Sequence, residues 1–124
     1  MLQVKSIVFD LDDTICYPNH EYKDAINKYA KAEPNLKVIE SMRLLSEKGY
    51  KIIISTARRM LTYNGDIDLI IADVGDITVE WLKSYGVPYD ELQWCKPYSS
   101  TYYVDDKAMN IEAFYDWMSH EWNE

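Results

Sequence analysis

The chain has 124 residues, 48% hydrophobic and 27% charged, and its 13 Lys and Arg against 21 Asp and Glu give a net charge of -8. That size and balance fit one globular domain and exclude a disordered chain, a collagen-like chain and a coiled-coil rod. The acid excess, with no basic run, argues against nucleic-acid binding by phosphate neutralisation, and no apolar run approaches the roughly 20 residues of a membrane span. Cys16 and Cys95 are too sparse for a disulfide framework and lack metal-ligand spacing. The N-terminus shows no signal-peptide apolar region, so a reduced, cytoplasmic-type protein is expected, with no membrane partner.

In chain order, Val4-Lys5-Ser6-Ile7-Val8-Phe9 reads as a buried strand, rich in β-branched residues and closed by a polar cluster. Pro34 predicts a helix start, where its missing N–H costs nothing. Leu36, Ile39, Met42 and Leu45 then share one face up to a stop at Gly49. Tyr50-Lys51-Ile52-Ile53-Ile54 is the next strand. Asp76 predicts the cap of a helix carrying Val79, Leu82 and Tyr85, ended by Gly86 and Pro88. Glu91-Leu92-Gln93-Trp94 and Thr101-Tyr102-Tyr103-Val104 read as short strands. Ile111, Phe114 or Tyr115, Met118 and Trp122 mark a closing amphipathic helix. No repeat or linker interrupts the series, so residues 1–124 read as a single domain.

Strands alternating with helices predict an α/β domain with a parallel sheet, and such sheets bind ligands beyond the carboxyl ends of their strands. The residues there are Asp10, Asp12 and Asp13; then Ser55, Thr56 and Arg58; then Lys96; then Asp105 and Asp106. Asp10 and Asp12 face the same way in an extended chain, and neighbouring carboxylates repel unless a cation lies between them or one is protonated. With Asp105 or Asp106 brought from another strand, the donors are all oxygens. That set suits a hard cation such as Mg²⁺, which takes one or two carboxylates together with water and substrate phosphate. The same parts suit phosphoryl transfer through an aspartyl-phosphate. One carboxylate would be the nucleophile, and Asp12 would protonate the leaving oxygen and later activate water. Lys96 would neutralise the phosphoryl charge, Thr56 would hydrogen-bond one of its oxygens, and the Arg58 fork either offers a second phosphate contact or pairs with a surface carboxylate.

Asp10-Leu11-Asp12-Asp13-Thr14 resembles the DxDxT signature of the haloacid dehalogenase-like phosphatases. The hydroxyl of Ile54-Ser55-Thr56-Ala57-Arg58, the lysine of Cys95-Lys96-Pro97 and the acids of Val104-Asp105-Asp106 follow in that superfamily's order, so the likeness spans positions 7 to 107. The resemblance implies a Rossmann-like three-layer sandwich around a central parallel sheet. It implies Asp10 as nucleophile and Mg²⁺ ligand, and Asp12 as general acid/base with its backbone carbonyl on the metal. Thr56 and Lys96 would hold the transferred phosphoryl group, and Asp105 or Asp106 would complete the metal site. Asp13 stands where the superfamily more often has Gly. Members carry cap domains after the first motif or between the second and third. Here 45 residues separate Asp10 from Thr56 and 39 separate Thr56 from Lys96, each span already filled by a helix and a strand. A capless enzyme is implied, similar to the short capsule-biosynthesis-type phosphatases. Its open site asks for a large substrate, a flap, or a neighbouring copy in a homo-oligomer. Residues 15–33 are the expected flap, and the Arg59–Val74 loop the opposite wall.

The expected activity is Mg²⁺-dependent hydrolysis of a small phosphorylated metabolite, such as a sugar phosphate or nucleotide. The alternatives are a phosphatase acting on a polynucleotide end or a phosphoprotein, and a phospho-acceptor module without turnover. Asp12 argues against a dehalogenase, since a departing halide needs no proton. Tyr17, Tyr63 and Tyr98 fall in loops near the rim, where tyrosine most often fills boundary positions. His20 and His120 read as surface residues, and Cys16 and Cys95 as small buried hydrophobes.

Overall fold

The computed structural model describes residues 5–122, so Val4 of the first expected strand lies outside the described residues. Along the chain run β1 (Ser6–Asp10), β2 (Cys16–Tyr17), α1 (Ala25–Ala30), β3 (Glu33–Pro34), α2 (Leu36–Glu47), β4 (Lys51–Ser55), α3 (Ile67–Ser84), β5 (Glu91–Gln93) and α4 (Ile111–Trp122). Strands β1, β4 and β5 form a parallel sheet in the order β1-β4-β5. Helices flank this sheet, which makes a small Rossmann-like α/β domain. Asp10 lies opposite Ser55, and Ser55 opposite Gln93, so the three carboxyl ends share one rim. β2 and β3 pair antiparallel in a separate ribbon. No helix among the described residues is long and apolar enough to cross a membrane.

The alternation of the strands decides which face is covered. Phe9, Ile52 and Ile54 are buried on one side with Val38, Ile39, Met42 and Leu45 of α2, Trp81 and Leu82 of α3, and Phe114 of α4. Each fully buried Leu or Ile of this set contributes about 1.5–3 kcal/mol. Phe114 meets Phe9 edge to face, with ring centroids 5.5 Å apart. The buried Trp81 donates its indole N–H to the Ala32 carbonyl at 3.0 Å, which ties α3 to the segment between α1 and β3. A second, smaller core holds Tyr29 of α1 with Ile70 and Val74 of α3, and Met60, Tyr63 and Trp94 pack against it.

Several sequence expectations are corrected. Pro34 is not the first residue of α2; it pairs with Cys16, and Asn35 caps the helix by accepting the Val38 N–H. Helix α3 starts at Ile67 under an Asp66 cap rather than after Asp76. Its apolar face runs through Gly75, because an interior Gly costs only about 1 kcal/mol and the burial on either side outweighs that. Residues 15–33, the expected flap, hold β2, α1 and the first residue of β3, with α1 packed on α3, and the second half of the expected Arg59–Val74 loop is helical. Thr101-Tyr102-Tyr103-Val104 forms no strand, and Val104 is 98% exposed. Local bonds occupy this segment instead. The Ser99 hydroxyl takes the Thr101 N–H and donates to the Tyr102 carbonyl, and the Tyr103 hydroxyl donates to the Pro97 carbonyl. Cys16 is buried as expected, whereas Cys95 is exposed.

Candidate active site

The turn after β1 places the first two carboxylates. The Leu11 carbonyl accepts from the N–H groups of Ile15 and Cys16, and the Asp13 N–H donates to the Cys16 carbonyl at 2.7 Å. Asp13 takes a φ of 67°, which explains why Gly suits this position and why Asp, with its short polar side chain, is accepted. Asp10, at the strand end, accepts the Lys96 ammonium on Oδ1 at 3.0 Å and the Thr14 hydroxyl on Oδ2 at 3.3 Å. Lys96 comes from 86 residues away, and its backbone N–H donates to the Thr56 carbonyl at 3.4 Å. The Thr56 N–H in turn donates to the Gln93 carbonyl at 2.9 Å, so the ends of β4 and β5 are stitched together beneath the lysine. The Lys96 ammonium also lies 4.5 Å from the Tyr103 ring centroid.

Asp12 is held differently. Arg58 Nε donates to its Oδ2 at 2.9 Å and to its Oδ1 at 3.2 Å, and Nη2 donates to Oδ1 at 2.8 Å. Nη1 donates to the Thr78 hydroxyl at 2.8 Å, and the guanidinium lies 4.0 Å from the Tyr29 ring centroid. The Arg58 side chain is 1% exposed and that of Asp12 24%. Burial works to lower the Arg58 pKa, but the hydrogen bonds and charge of Asp12 outweigh it and leave the guanidinium above its usual value. The Cys16 thiol sits 3.5 Å from Asp12 Oδ1, and burial, then the nearby carboxylate, push its pKa up to about 12.

The structure thus brings Asp10, Thr56 and Lys96 to one rim and joins Asp12 to Arg58 beside them. Of the two expectations for Arg58, the fork meets a carboxylate rather than standing free for a substrate phosphate, and that carboxylate is Asp12 at the site, not one on the surface. Thr56 is 1% exposed, and its hydroxyl oxygen accepts the Arg58 N–H at 3.1 Å, which leaves its proton free to donate. Asp105 and Asp106 stay in the exposed segment after Tyr103. The Lys107 N–H, donating to Asp105 Oδ1 at 2.9 Å, and then the Asp106 side chain, hold the Asp105 carboxyl below the usual range.

The all-oxygen donor set of Asp10, Asp12, Asp105 and Asp106 has the right chemistry for Mg²⁺, though these side chains are not gathered around one point. Among the described residues no three His, Cys, Asp or Glu side chains gather closely enough to hold a metal. Both oxygens of Asp10 and both of Asp12 already carry protein donors. Sequence reasoning missed Thr14, Tyr29, Thr78 and Tyr103. Thr14 lay in view within the first motif, whereas Tyr29 and Thr78 reach the site only through the packing of α1 on α3.

No protein-family model matches the chain, and no curated protein does. Solved structures do match. A structural-genomics target from Vibrio cholerae, known from a crystal structure, is 34% identical, with a TM-score of 0.74 over 95% of this chain and 99% of that one. Two chains from structures of the Pnkp1/Rnl/Hen1 complex, one described as an RNA repair complex, are similar at 18% and 17% identity with TM-scores of 0.55 and 0.53. The alignments cover 95% and 98% of this chain but only 32% and 36% of those chains, and at that identity they show a shared fold alone.

Proposed function

The chain belongs to the same family as the Vibrio cholerae protein, and from that premise we propose that it is a capless phosphatase of the haloacid dehalogenase-like type, cleaving a small phosphomonoester through an aspartyl-phosphate on Asp10. The observation that carries this reading is the Lys96 ammonium set 3.0 Å from Asp10 Oδ1 at the carboxyl rim of a parallel sheet. A carboxylate beside a fixed cation at that rim is the arrangement that attack on a phosphoryl group requires.

In this reading Asp10 Oδ2, held among the described residues only by the longer Thr14 contact, attacks phosphorus. The bond to the ester oxygen breaks, the departing oxygen keeps the electron pair, and Asp12 gives it a proton. Water then attacks the aspartyl-phosphate, Asp12 takes a proton from that water, and inorganic phosphate leaves with Asp10 restored. Lys96 neutralises charge on the phosphoryl oxygens, and the Thr56 hydroxyl donates to one of them. Mg²⁺ belongs to the proposal as the ion the resemblance implies, held by Asp10, the Asp12 carbonyl, and Asp105 or Asp106. No step is routed through it, because the arrangement described does not gather those residues.

The test is phosphate release from p-nitrophenyl phosphate, sugar phosphates, nucleotides, phosphopeptides and a phosphate-ended oligonucleotide, with Mg²⁺ and with chelator. Turnover by the natural chain, abolished in Asp10→Asn and lowered about 10²–10³-fold in Lys96→Ala, is expected. Full activity of Asp10→Asn would overturn the reading, and turnover unaffected by chelator would remove the metal from it. The oligonucleotide is included because of the fold likeness to the RNA repair chains; the net charge of -8 weighs against it. Slow labelling of the chain without turnover would identify a phospho-acceptor instead.

A further inference from the structure

We propose that Arg58 is a positioning residue for Asp12, and that Thr78 and Tyr29 hold Arg58 in place to make it one. The inference rests on the phosphatase reading and deepens it. An exposed ion pair contributes about 0–1 kcal/mol and needs no construction around it. Arg58 is built in. Its backbone N–H is fixed on the Thr56 hydroxyl at 3.1 Å, and its side chain is 1% exposed. Its Nη1 meets the Thr78 hydroxyl at 2.8 Å, and Thr78 is itself fixed because that hydroxyl donates to the Val74 carbonyl at 2.7 Å. Tyr29 lies flush against the guanidinium, 4.0 Å from ring centroid to carbon. Burying such a pair is weak evidence for stability, because a well-packed apolar set often does as well. What the arrangement does supply is direction.

The two oxygens of Asp12 are held unequally. Oδ1 accepts from Arg58 Nη2, from Nε and from the Cys16 thiol, whereas among the described residues Oδ2 accepts from Nε alone. The fork therefore fixes the carboxyl plane and leaves Oδ2 as the oxygen with room for a proton. When the phosphorus–oxygen bond breaks, that proton passes from Oδ2 to the departing oxygen. Asp12 becomes a carboxylate whose new charge faces a fixed guanidinium. A guanidinium suits this where an ammonium would not, because its planar fork grips both oxygens at once.

The experiment compares kcat/KM for p-nitrophenyl phosphate, whose leaving group needs no proton, with that for an alkyl phosphate, whose leaving group does. The full chain is used, unsubstituted and as Arg58→Lys, Thr78→Val and Asp12→Ala. Loss of a well-placed general acid costs about 10²–10⁴-fold. Arg58→Lys is expected to lose at least tenfold on the alkyl phosphate and little on p-nitrophenyl phosphate. Thr78→Val should lose less, in the same sense. Placed on Asp12→Ala, Arg58→Lys should cost nothing further, because the interaction is already gone. Equal losses on both substrates, or additive losses in the double variant, would overturn the inference and assign the pair a purely structural role. Should Arg58→Lys fail to fold, Thr78→Val, which removes one hydroxyl, decides the matter by the same comparison. Failure of the phosphatase reading looks different: the unsubstituted chain would then release phosphate from neither compound, and this inference would fall with it.

Discussion

Asp13 shows how one backbone angle constrains the site. At φ 67° a side chain branched at Cβ is strained by about 1–2 kcal/mol, whereas Gly carries no such strain. Asp13→Val should lose that amount of stability in urea unfolding and Asp13→Gly should not. Cys16 makes a second prediction at this scale. Its thiol, with a pKa pushed up to about 12, stays protonated at pH 8, so iodoacetamide should label the exposed Cys95 in the native protein and Cys16 only after unfolding. The unfolded chain ionises this thiol near 9, so between about 9 and 12 the folded state binds more protons than the unfolded one. The contribution is complete below pH 9 and is lost as pH rises through that window; Cys16→Ala should flatten that slope in unfolding experiments. Asp10 and Thr56 as rim residues were legible in the sequence because their strand ends can be read from β-branched runs, whereas Lys96 follows Glu91-Leu92-Gln93-Trp94, which has none, and was legible through the place of Cys95-Lys96-Pro97 in the motif order. The partner of Arg58 was not. An arginine after a strand looks the same whether its fork faces solvent or a carboxylate 46 residues back.

Helix caps and turns carry the lesson at the scale of elements. Asn35 serves three elements at once: its Oδ1 takes the Val38 N–H of α2, and its Nδ2 donates to the Tyr17 hydroxyl of β2 at 3.1 Å and to the Tyr115 hydroxyl of α4 at 3.0 Å. Asn35→Ala should therefore cost more than the roughly 1 kcal/mol of a lost cap, and Asn35→Asp, which keeps the cap oxygen, should cost less than Asn35→Ala. Thermal unfolding of the two variants measures the difference. A cap is also where reading the sequence went astray. Asp66 and Asp76 both precede apolar residues, and only the packing of Ile70 and Val74 against Tyr29 selects the earlier one. The Thr101–Val104 run has strand composition, yet composition cannot register that hydroxyls of Ser99 and Tyr103 offer nearer partners than a sheet edge.

For the whole molecule, the order β1-β4-β5 explains why residues as distant as 10, 56 and 96 meet: parallel strands place all their carboxyl ends on one side. That much follows from alternating strands and helices and was legible. How the segment carrying Asp105 and Asp106 would sit was not, since long-range placement of a loop leaves no local pattern. The net charge of -8 acts on the molecule as a body. A doubly charged phosphomonoester approaching it is repelled, and raising ionic strength shortens the reach of that repulsion from about 30 Å at 0.01 M to about 8 Å at 0.15 M. On the proposed reading, kcat/KM for such a substrate should rise with added salt at constant pH, and a steady fall would instead indicate a local positive field at the rim that dominates the net charge.

Two of the four tryptophans sit in different cores, and with Trp117 and Trp122 replaced by Phe the protein becomes its own optical probe. Trp81 is enclosed in the larger core, with its indole N–H bonded to a carbonyl and its ring 4.6 Å from that of Tyr85. Trp94 packs against the smaller core, which includes the Tyr29 that backs Arg58, and stands two positions before Lys96. Light emitted by the first indole reports whether the chain is folded. Light emitted by the second reports what happens beside Asp12 and Lys96, so a fluorescence change confined to Trp94 on adding an anion would mark an event at the rim with the fold unchanged.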